Sequence, residues 1–569
     1  MSNEYAPPSN LKANPGRDEK ALLDRLDDLQ KEGDRVKASW VREADLQRDL
    51  DLYRGKVKAN GSDDLYFDCN FLGAFIDRMV AQLTDNRPIM RVDNKKSGMR
   101  KVASGLEKIV HAVWSESDVQ REIFKMAHNA AITRSAGMYT GYDSVKDQPV
   151  VELLRCSQLT VDPSVLEAGL IDRAAEYVAI ERILPIAELK QKYGARGSLV
   201  TPDVTISDNP KDHKKSFMSP ITDYLGGKPS SRDAIPRARV WEWFVNDRQT
   251  GPDGVRLFPA YRRIVRTKDV VLWDGPNPLW DGMIPVDWFD WSVDPEHPWG
   301  HSEPARLRRL QLSFNQLMDG LVENQLLTNF ITVTGDADAM TPEAWKALER
   351  IKSSLIVRKT NRNATLTVTP PPSFGTDKIM IAKQLFTYAQ VLTGVMDVTL
   401  GDAPGSLQSG LAIEGLQEGA NLMTRARASR LEDFVGRVGQ KLLSRVMQFV
   451  PSDRVFHIFG PTAEAIDYAF NRSELFVNDD GSRLTSQEIR DTMRYMRFQV
   501  VPGSSAPGAR IARARMMAEL MKMGAASRKR VLQAADFPDP DEMIKEAAED
   551  MKNNPAAQLM AKQGGGGGM

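Results

Sequence analysis

The sequence predicts an α+β protein, with blocks of amphipathic helix set apart from blocks of short antiparallel strands. Three observations carry this. Leu307, Leu310, Phe314, Leu317 and Leu321 recur at spacings of three and four, the stripe of a long helix. Between 137 and 276 the period falls to two, in segments bounded by Gly, Pro, Asn and Asp. The stretch GDAPGSLQSG, 401–410, cuts a region that reads as helix on both sides.

Residues 1–17 are rich in Pro, Asn and Ser and read as disordered. Residues 18–55 read as a charged amphipathic helix with Leu22, Leu23, Leu26 and Leu29 on one side. In 67–92, Phe71, Phe75, Met79 and Leu83 repeat every four residues; this helix stops before Pro88 and runs into a strand. Residues 101–136 are helical again. MYTGYDSV, QPVVELLRC and LTVDP then read as strands. Residues 175–194 are a strand followed by a helix closed by Gly194. Residues 198–237 read as a long polar loop. ARVWEWFVN, AYRRIVRT and DVVLWDG read as antiparallel strands, and the aromatic, proline-rich 284–302 as an extended connection packed on a core. Its aromatic cluster, Trp280, Trp288, Phe289, Trp291 and Trp299, reads as core ahead of a base-stacking platform.

A helix begins at Glu303, with Pro304 suited to its first turn. After it comes a small α/β insert: strand FITVTG, a short helix capped by Thr341, and strands SSLIVRK and ATLTVTP. Helix resumes over 376–393, where Ile379, Ala382, Phe386 and Ala389 repeat the spacing. Past the glycine-rich loop comes a very long helix, then mixed strands to about 501, short helices at 508–524 and 539–552, and a tail with five glycines before Met569.

Composition limits the chemistry. A chain of 569 residues exceeds the size of a single core, so several domains or subdomains are expected. The 76 Lys and Arg balance 76 Asp and Glu, so bulk charge makes no case for a general nucleic-acid binder. Two cysteines, Cys69 and Cys156, exclude a disulfide scaffold and suggest a reducing compartment. There is no apolar run long enough for a transmembrane helix and no secretory signal near Met1, so no membrane role is expected. The loop at 401–410 fails as a P-loop, because no Lys-Ser/Thr follows its glycines; in GGKPSS, 226–231, a proline follows the lysine. No zinc-type His-Glu-x-x-His, Cys-x-x-Cys or Gly-x-Ser-x-Gly occurs. His297 and His301 are four apart, but Pro298 and Gly300 between them disfavour a two-ligand helical face. No catalytic residues, metal ligands or cofactor are expected.

The order helix, small insert, helix, breaker loop, very long helix resembles that of tailed-bacteriophage portal proteins, the head-tail connector family. FIDRMVAQLTDNRPIMRV resembles that family's N-terminal wing segment, a helix ending in Arg-Pro. PWGHSEPARLRRLQLSFNQLMDGLVENQ resembles its Gly-x-Ser entry into the first stem helix, with Gly300, Ser302 and Pro304 in those places. LGDAPGSLQSGLAIEGLQEGA resembles the segment leaving its tunnel loop.

The resemblance implies an N-terminal wing at 18–300, a first stem helix at 301–329, a clip at 330–371 and a second stem helix at 372–395. It implies a tunnel loop at 396–410, the long helix and C-terminal wing at 411–500, crown helices at 501–555 and a flexible Gly-rich tail at 556–569. It implies a homo-oligomeric ring, a dodecamer, at one capsid vertex of the virion, assembled in the host cytoplasm. Double-stranded DNA would be packaged and ejected through it. Its implied partners are terminase, a head-tail adaptor, and the major capsid and scaffolding proteins.

On this reading the tunnel loop carries Asp397, Asp402, Pro404, Gly405, Ser406 and Gln408 but no Lys or Arg, so it lets DNA slide instead of gripping phosphate. A simple interhelical loop is the alternative. The clip carries Arg350, Lys352, Arg358, Lys359 and Arg362, either a partner-binding collar or a solvated face. The stem seam Leu307, Leu310, Phe314, Leu317 and Leu321 packs within the subunit, against a neighbour, or both. Arg306, Arg308 and Arg309 read as solvated or inter-subunit positions ahead of channel-facing ones. Arg425, Arg427 and Arg430 read as inter-subunit pairs first and DNA contacts second. Two rivals remain: another head-tail structural component, disfavoured because adaptors are much shorter, and a nucleic-acid-processing enzyme, disfavoured by the missing motifs.

Overall fold

The computed structural model describes residues 17–56, 69–85, 88–95, 100–143, 147–203, 235–328, 332–336, 341–343, 363–369, 376–395, 422–450, 455–459, 465–469, 484–493, 495–501 and 509–524, with isolated positions besides. The tunnel-loop residues Asp397, Asp402, Pro404, Gly405, Ser406 and Gln408 lie outside them. So do the clip residues Arg350, Lys352, Arg358, Lys359 and Arg362, and the second short helix expected at 539–552.

The elements run α1 (Arg17–Trp40), α2 (Glu43–Tyr53), α3 (Phe71–Thr84), β1 (Met90–Asn94), α4 (Arg100–Glu116) and α5 (Val119–Thr133). Then come β2 (Ser135–Asp143), β3 (Gln148–Arg155), β4 (Leu159–Val161), α6 (Ile171–Ala174), β5 (Tyr177–Pro185), α7 (Ile186–Tyr193) and α8 (Ala195–Ser198). They are followed by β6 (Arg237–Val245), β7 (Arg262–Arg266), β8 (Val271–Pro276), β9 (Val286–Asp290), α9 (Glu303–Thr328), β10 (Thr332–Gly335), β11 (Leu366–Thr369) and α10 (Thr376–Thr393). The last are α11 (Leu422–Phe449), β12 (Val455–Phe459), β13 (Ala465–Ala469), α12 (Ser486–Met493), β14 (Met496–Val500) and α13 (Ala509–Lys522).

Strands β4 to β8 form an antiparallel meander in chain order. Helix α1 straps one face of it. Leu26 is buried there with Tyr177, Trp243 and Ile264, and Leu22, Leu23 and Leu29 pack alongside. Polar contacts fix the strap's register. Glu19 accepts from Arg196 at 2.7 Å and from the Val271 amide at 3.0 Å, and Lys37 donates to the Leu159 carbonyl at 2.7 Å. The single helix expected over 18–55 is in fact two. Arg42 is extended (φ −81, ψ 143), and Val41 and Leu46 turn into a different core, one they share with Trp288 and Trp299.

The connection expected at 284–302 contains a strand. β9 pairs antiparallel with β2, Ser135 opposite Asp290 and Tyr139 opposite Val286. Both faces of this sheet are covered: Val286 and Trp288 enter one core, Phe289 and Trp291 the other. The aromatic cluster is core, as its composition suggested, with Trp280 partly buried at its edge. β1 finds its partner about four hundred residues away, Met90 opposite Val500.

Helix α11 lies at the centre of the largest core, with Phe434, Val438, Leu442 and Val446 buried among side chains of α3, α4 and α5. It meets β14 closely. A Cβ on Gly439 would stand 2.1 Å from the Phe498 ring, which is itself buried and stacked on Trp114 at 6.4 Å. Gly436, one turn earlier, faces open space. Gly439→Ala is therefore expected to cost about 1–3 kcal/mol by overpacking. Gly436→Ala should stabilise by up to about 1 kcal/mol through helix propensity. Urea unfolding of the two variants checks the pair; equal shifts would contradict the packing described.

Candidate functional site: the helix hairpin and its anchor

Helices α9 and α10 pack on each other and are bridged by the antiparallel pair β10–β11, Thr332 opposite Thr369. The chain enters α9 through a tight corner. Gly300 has φ +59, and a Cβ there would stand 2.4 Å from the Ser292 carbonyl oxygen, so this position requires glycine. Ser302 caps the helix: its hydroxyl accepts from the Ala305 amide at 3.3 Å and donates to the buried Asp49 carboxylate at 2.5 Å. Burial pushes the Asp49 carboxyl up, and the Ser302 bond pulls it back.

The stripe on α9 is mostly internal. Leu307 and Leu321 are buried, while Leu310, Phe314 and Leu317 are half-buried. Phe314 meets Phe71 edge-on at 5.3 Å, and Phe386 of α10 meets Phe71 at 5.8 Å. Buried Gln311 ties α9 to the start of α3, accepting from the Leu72 amide at 3.0 Å and donating to the Cys69 carbonyl at 2.7 Å.

The root of α9 is Glu303, with no exposed surface. Its carboxylate accepts from the Trp291 indole at 2.9 Å, from Arg306 at 3.1 Å and from Arg427 of α11. The Arg427 guanidinium also lies over the Trp291 ring, 4.8 Å from its centroid. Burial pushes this guanidinium down from its ordinary value, and Glu303 opposes that shift.

Arg427 is the first member of a basic row along α11, at spacings that put all members on one side of the helix. Arg430 donates to the carbonyls of Trp291 at 2.9 Å and Asp290 at 3.2 Å. Arg437 donates to the Trp288 carbonyl at 3.2 Å. Lys441 reaches Asp287 at 2.5 Å, Asp172 at 3.0 Å and the Val286 carbonyl at 3.2 Å. Arg445 reaches Asp281 at 2.8 Å. The partners in 281–303 thus ascend as the row descends: an ionic zipper holds α11 antiparallel to the segment that leads into α9.

The candidate arginines of α11 find partners within the chain as follows. Arg427 is 8% exposed and pairs with Glu303 of its own chain. Arg430, partly exposed, is likewise engaged within the chain, by Asp290 and two carbonyls. Arg425 is half-buried. Of the arginines in the first two turns of α9, Arg306 pairs with Glu303, Arg308 is half-buried and Arg309 is exposed. The basic spacing on α11 and the acids at Asp281, Asp287 and Asp290 stood in the sequence, but nothing local joined them.

Among the described residues no group of three His, Cys, Asp or Glu could hold a metal, and no helix is long and apolar enough to cross a membrane. His297 and His301 both face Asp294, at 3.6 and 2.7 Å.

Mixed helices and antiparallel sheets, with a helix hairpin carrying a strand-pair insert and a buried long helix behind it, are consistent with the architecture of a portal protein. Residues 63–564 match the family model of the phage P22-like portal protein, and the chain belongs to that family. No curated protein sequence matches it. Membership makes it a bacteriophage portal protein that acts in DNA packaging, a capsid component working as an oligomeric ring with the packaging machinery.

Proposed function

We propose that this chain is the subunit of a dodecameric ring at a single capsid vertex, through which double-stranded DNA enters during packaging and leaves on ejection. The family match, joined to the hairpin α9–β10–β11–α10 rooted on α11, carries this reading. In it, α9 and α10 are the stem, residues 330–371 the clip, 396–410 the tunnel loop, and α11 the long helix above them. The crown is formed from 501–555. The wing, 18–300 with 411–500, meets the major capsid and scaffolding proteins during assembly in the host cytoplasm.

The clip docks terminase first and the head-tail adaptor afterwards. Its basic residues Arg350, Lys352, Arg358, Lys359 and Arg362, repeated around a ring, make a positive collar from a chain of zero net charge. The tunnel loop, with Asp397 and Asp402 and no basic residue, slides on DNA without gripping it.

Docking is tested by reversing the collar. Arg358→Glu with Lys359→Glu and Arg362→Glu should leave rings of normal appearance that retain terminase or adaptor at least tenfold less well in pull-downs. The difference should fade as salt shortens the Debye length from about 8 Å. Unchanged retention at low salt would return these residues to a solvated face, and loss of the ring would make them bridges between subunits.

A further inference from the structure

An apolar groove of about 760 Å³ runs between α9 and α10. Phe314, Met318 and Leu321 line one wall, and Ile379, Ala382 and Phe386 the other. Lys383, Thr387 and Gln390 also line the α10 side, and Lys383 and Thr387 are exposed. The same helix exposes a second apolar set: Met380 at 69%, Ile381 at 48%, Tyr388 at 50%, Val391 at 51% and Leu392 at 40%. At 100° per residue this ridge centres about 150° round α10 from the groove. An apolar patch of that kind on a soluble helix marks a contact surface.

We infer that the ridge of α10 in one copy of this chain seats in the α9–α10 groove of the next. The inference rests on the ring reading above and assigns that ring's stem contact. Three features favour a second copy as the occupant. Groove and ridge have the same chemistry and lie on different faces of α10, as a head-to-tail contact requires. They also occupy the same levels of α10, 379–390 for the groove and 380–392 for the ridge. A cyclic ring rotates its subunits without shifting them along the axis, so only faces at matching levels can meet. Charge agrees as well: exposed Asp377 stands at the start of the ridge and exposed Lys383 on the groove wall. The roughly 9 Å of helix between them is within the joint reach of the two side chains.

Head-to-tail contacts permit a complementation test on the full-length chain. Met380→Glu with Val391→Glu spoils the ridge and leaves the groove. Thr387→Trp with Lys383→Glu fills the groove and leaves the ridge. All four positions are exposed, so each variant should keep the wild-type melting temperature. Each alone should lose the ring, whereas Val255→Glu, at an equally exposed apolar residue outside the hairpin, should keep it. Mixed in equal amounts, the two variants should give two-chain species and no ring, because one sound ridge then meets one sound groove and the opposite ends are blocked.

Rings from the ridge variant alone, or no two-chain species on mixing where wild type assembles, would overturn the assignment and leave the ring reading standing. A groove variant that melts early while the ridge variant still assembles would overturn it too, by giving the groove to another segment of the same chain. Wild type that never assembles would remove the ring reading, and this inference with it.

Discussion

Glu303→Ala is expected to lower folding stability by about 3–5 kcal/mol, the cost of stranding one partner of a buried ion pair. Glu303 is fully buried at the first position of α9 and holds the Trp291 indole, Arg306 and Arg427 at once. Without it, Arg427 keeps a charge that is almost out of solvent, against an aromatic ring. The helix also loses an anion beside its positive end, a smaller loss of about 0.3–1 kcal/mol. Glu303→Gln, which keeps an acceptor but no charge, should fall between. Arg427→Met added to Glu303→Ala should recover much of the loss, because the only charge then left without its carboxylate is that of exposed Arg306. Urea midpoints of the three variants and wild type decide. A Glu303→Ala loss below about 1 kcal/mol, in the range of exposed pairs, would contradict the anchor.

Lys441→Met is expected to cost about as much, roughly 3–5 kcal/mol, because it leaves Asp172 and Asp287 buried without their shared cation. Its loss should also depend on pH. Burial pushes the Asp287 carboxyl above the usual range even in the intact protein, with Lys441 pulling it back. Without the lysine it rises further. A carboxyl whose folded value is raised contributes most when protonated: that stability is complete below the unfolded value of about 3.9 and is lost as pH rises through the folded value. The deficit of Lys441→Met should therefore be larger at neutral pH than in mild acid. Asp287→Asn, which removes a costly charge and leaves Asp172 on the lysine, should cost less. A deficit independent of pH, or Asp287→Asn as the more damaging change, would contradict the zipper.

The helices of this fold are legible where one face is apolar and the other charged. The stripes on α3, α9 and α10 announce themselves at spacings of three and four, and the meander β4–β8 through its turns. What stays hidden is set by distant contacts. β9 carries no alternation because both its faces are buried, in two different cores, so the period that marks a half-buried strand is missing. No glycine or proline marks the break between α1 and α2; burial of Val41 and Leu46 makes it. The zipper is illegible for the same reason. A basic residue on a charged helix reads as solvated, and Lys441 differs from such a residue only by carboxylates 154 and 269 positions away. The Gly-x-Ser corner before α9, by contrast, stood in the sequence at Gly300 and Ser302, because a positive φ and a helix cap are local demands.

The ring is tested most directly by the mass of the assembled full-length chain, measured by sedimentation alongside negative-stain images, with and without a co-expressed scaffolding protein. Particles far heavier than the 63.5 kDa chain are expected, seen as closed dodecamer-sized rings with a central hole. A strictly monomeric species at every salt and protein concentration, scaffold included, would contradict it.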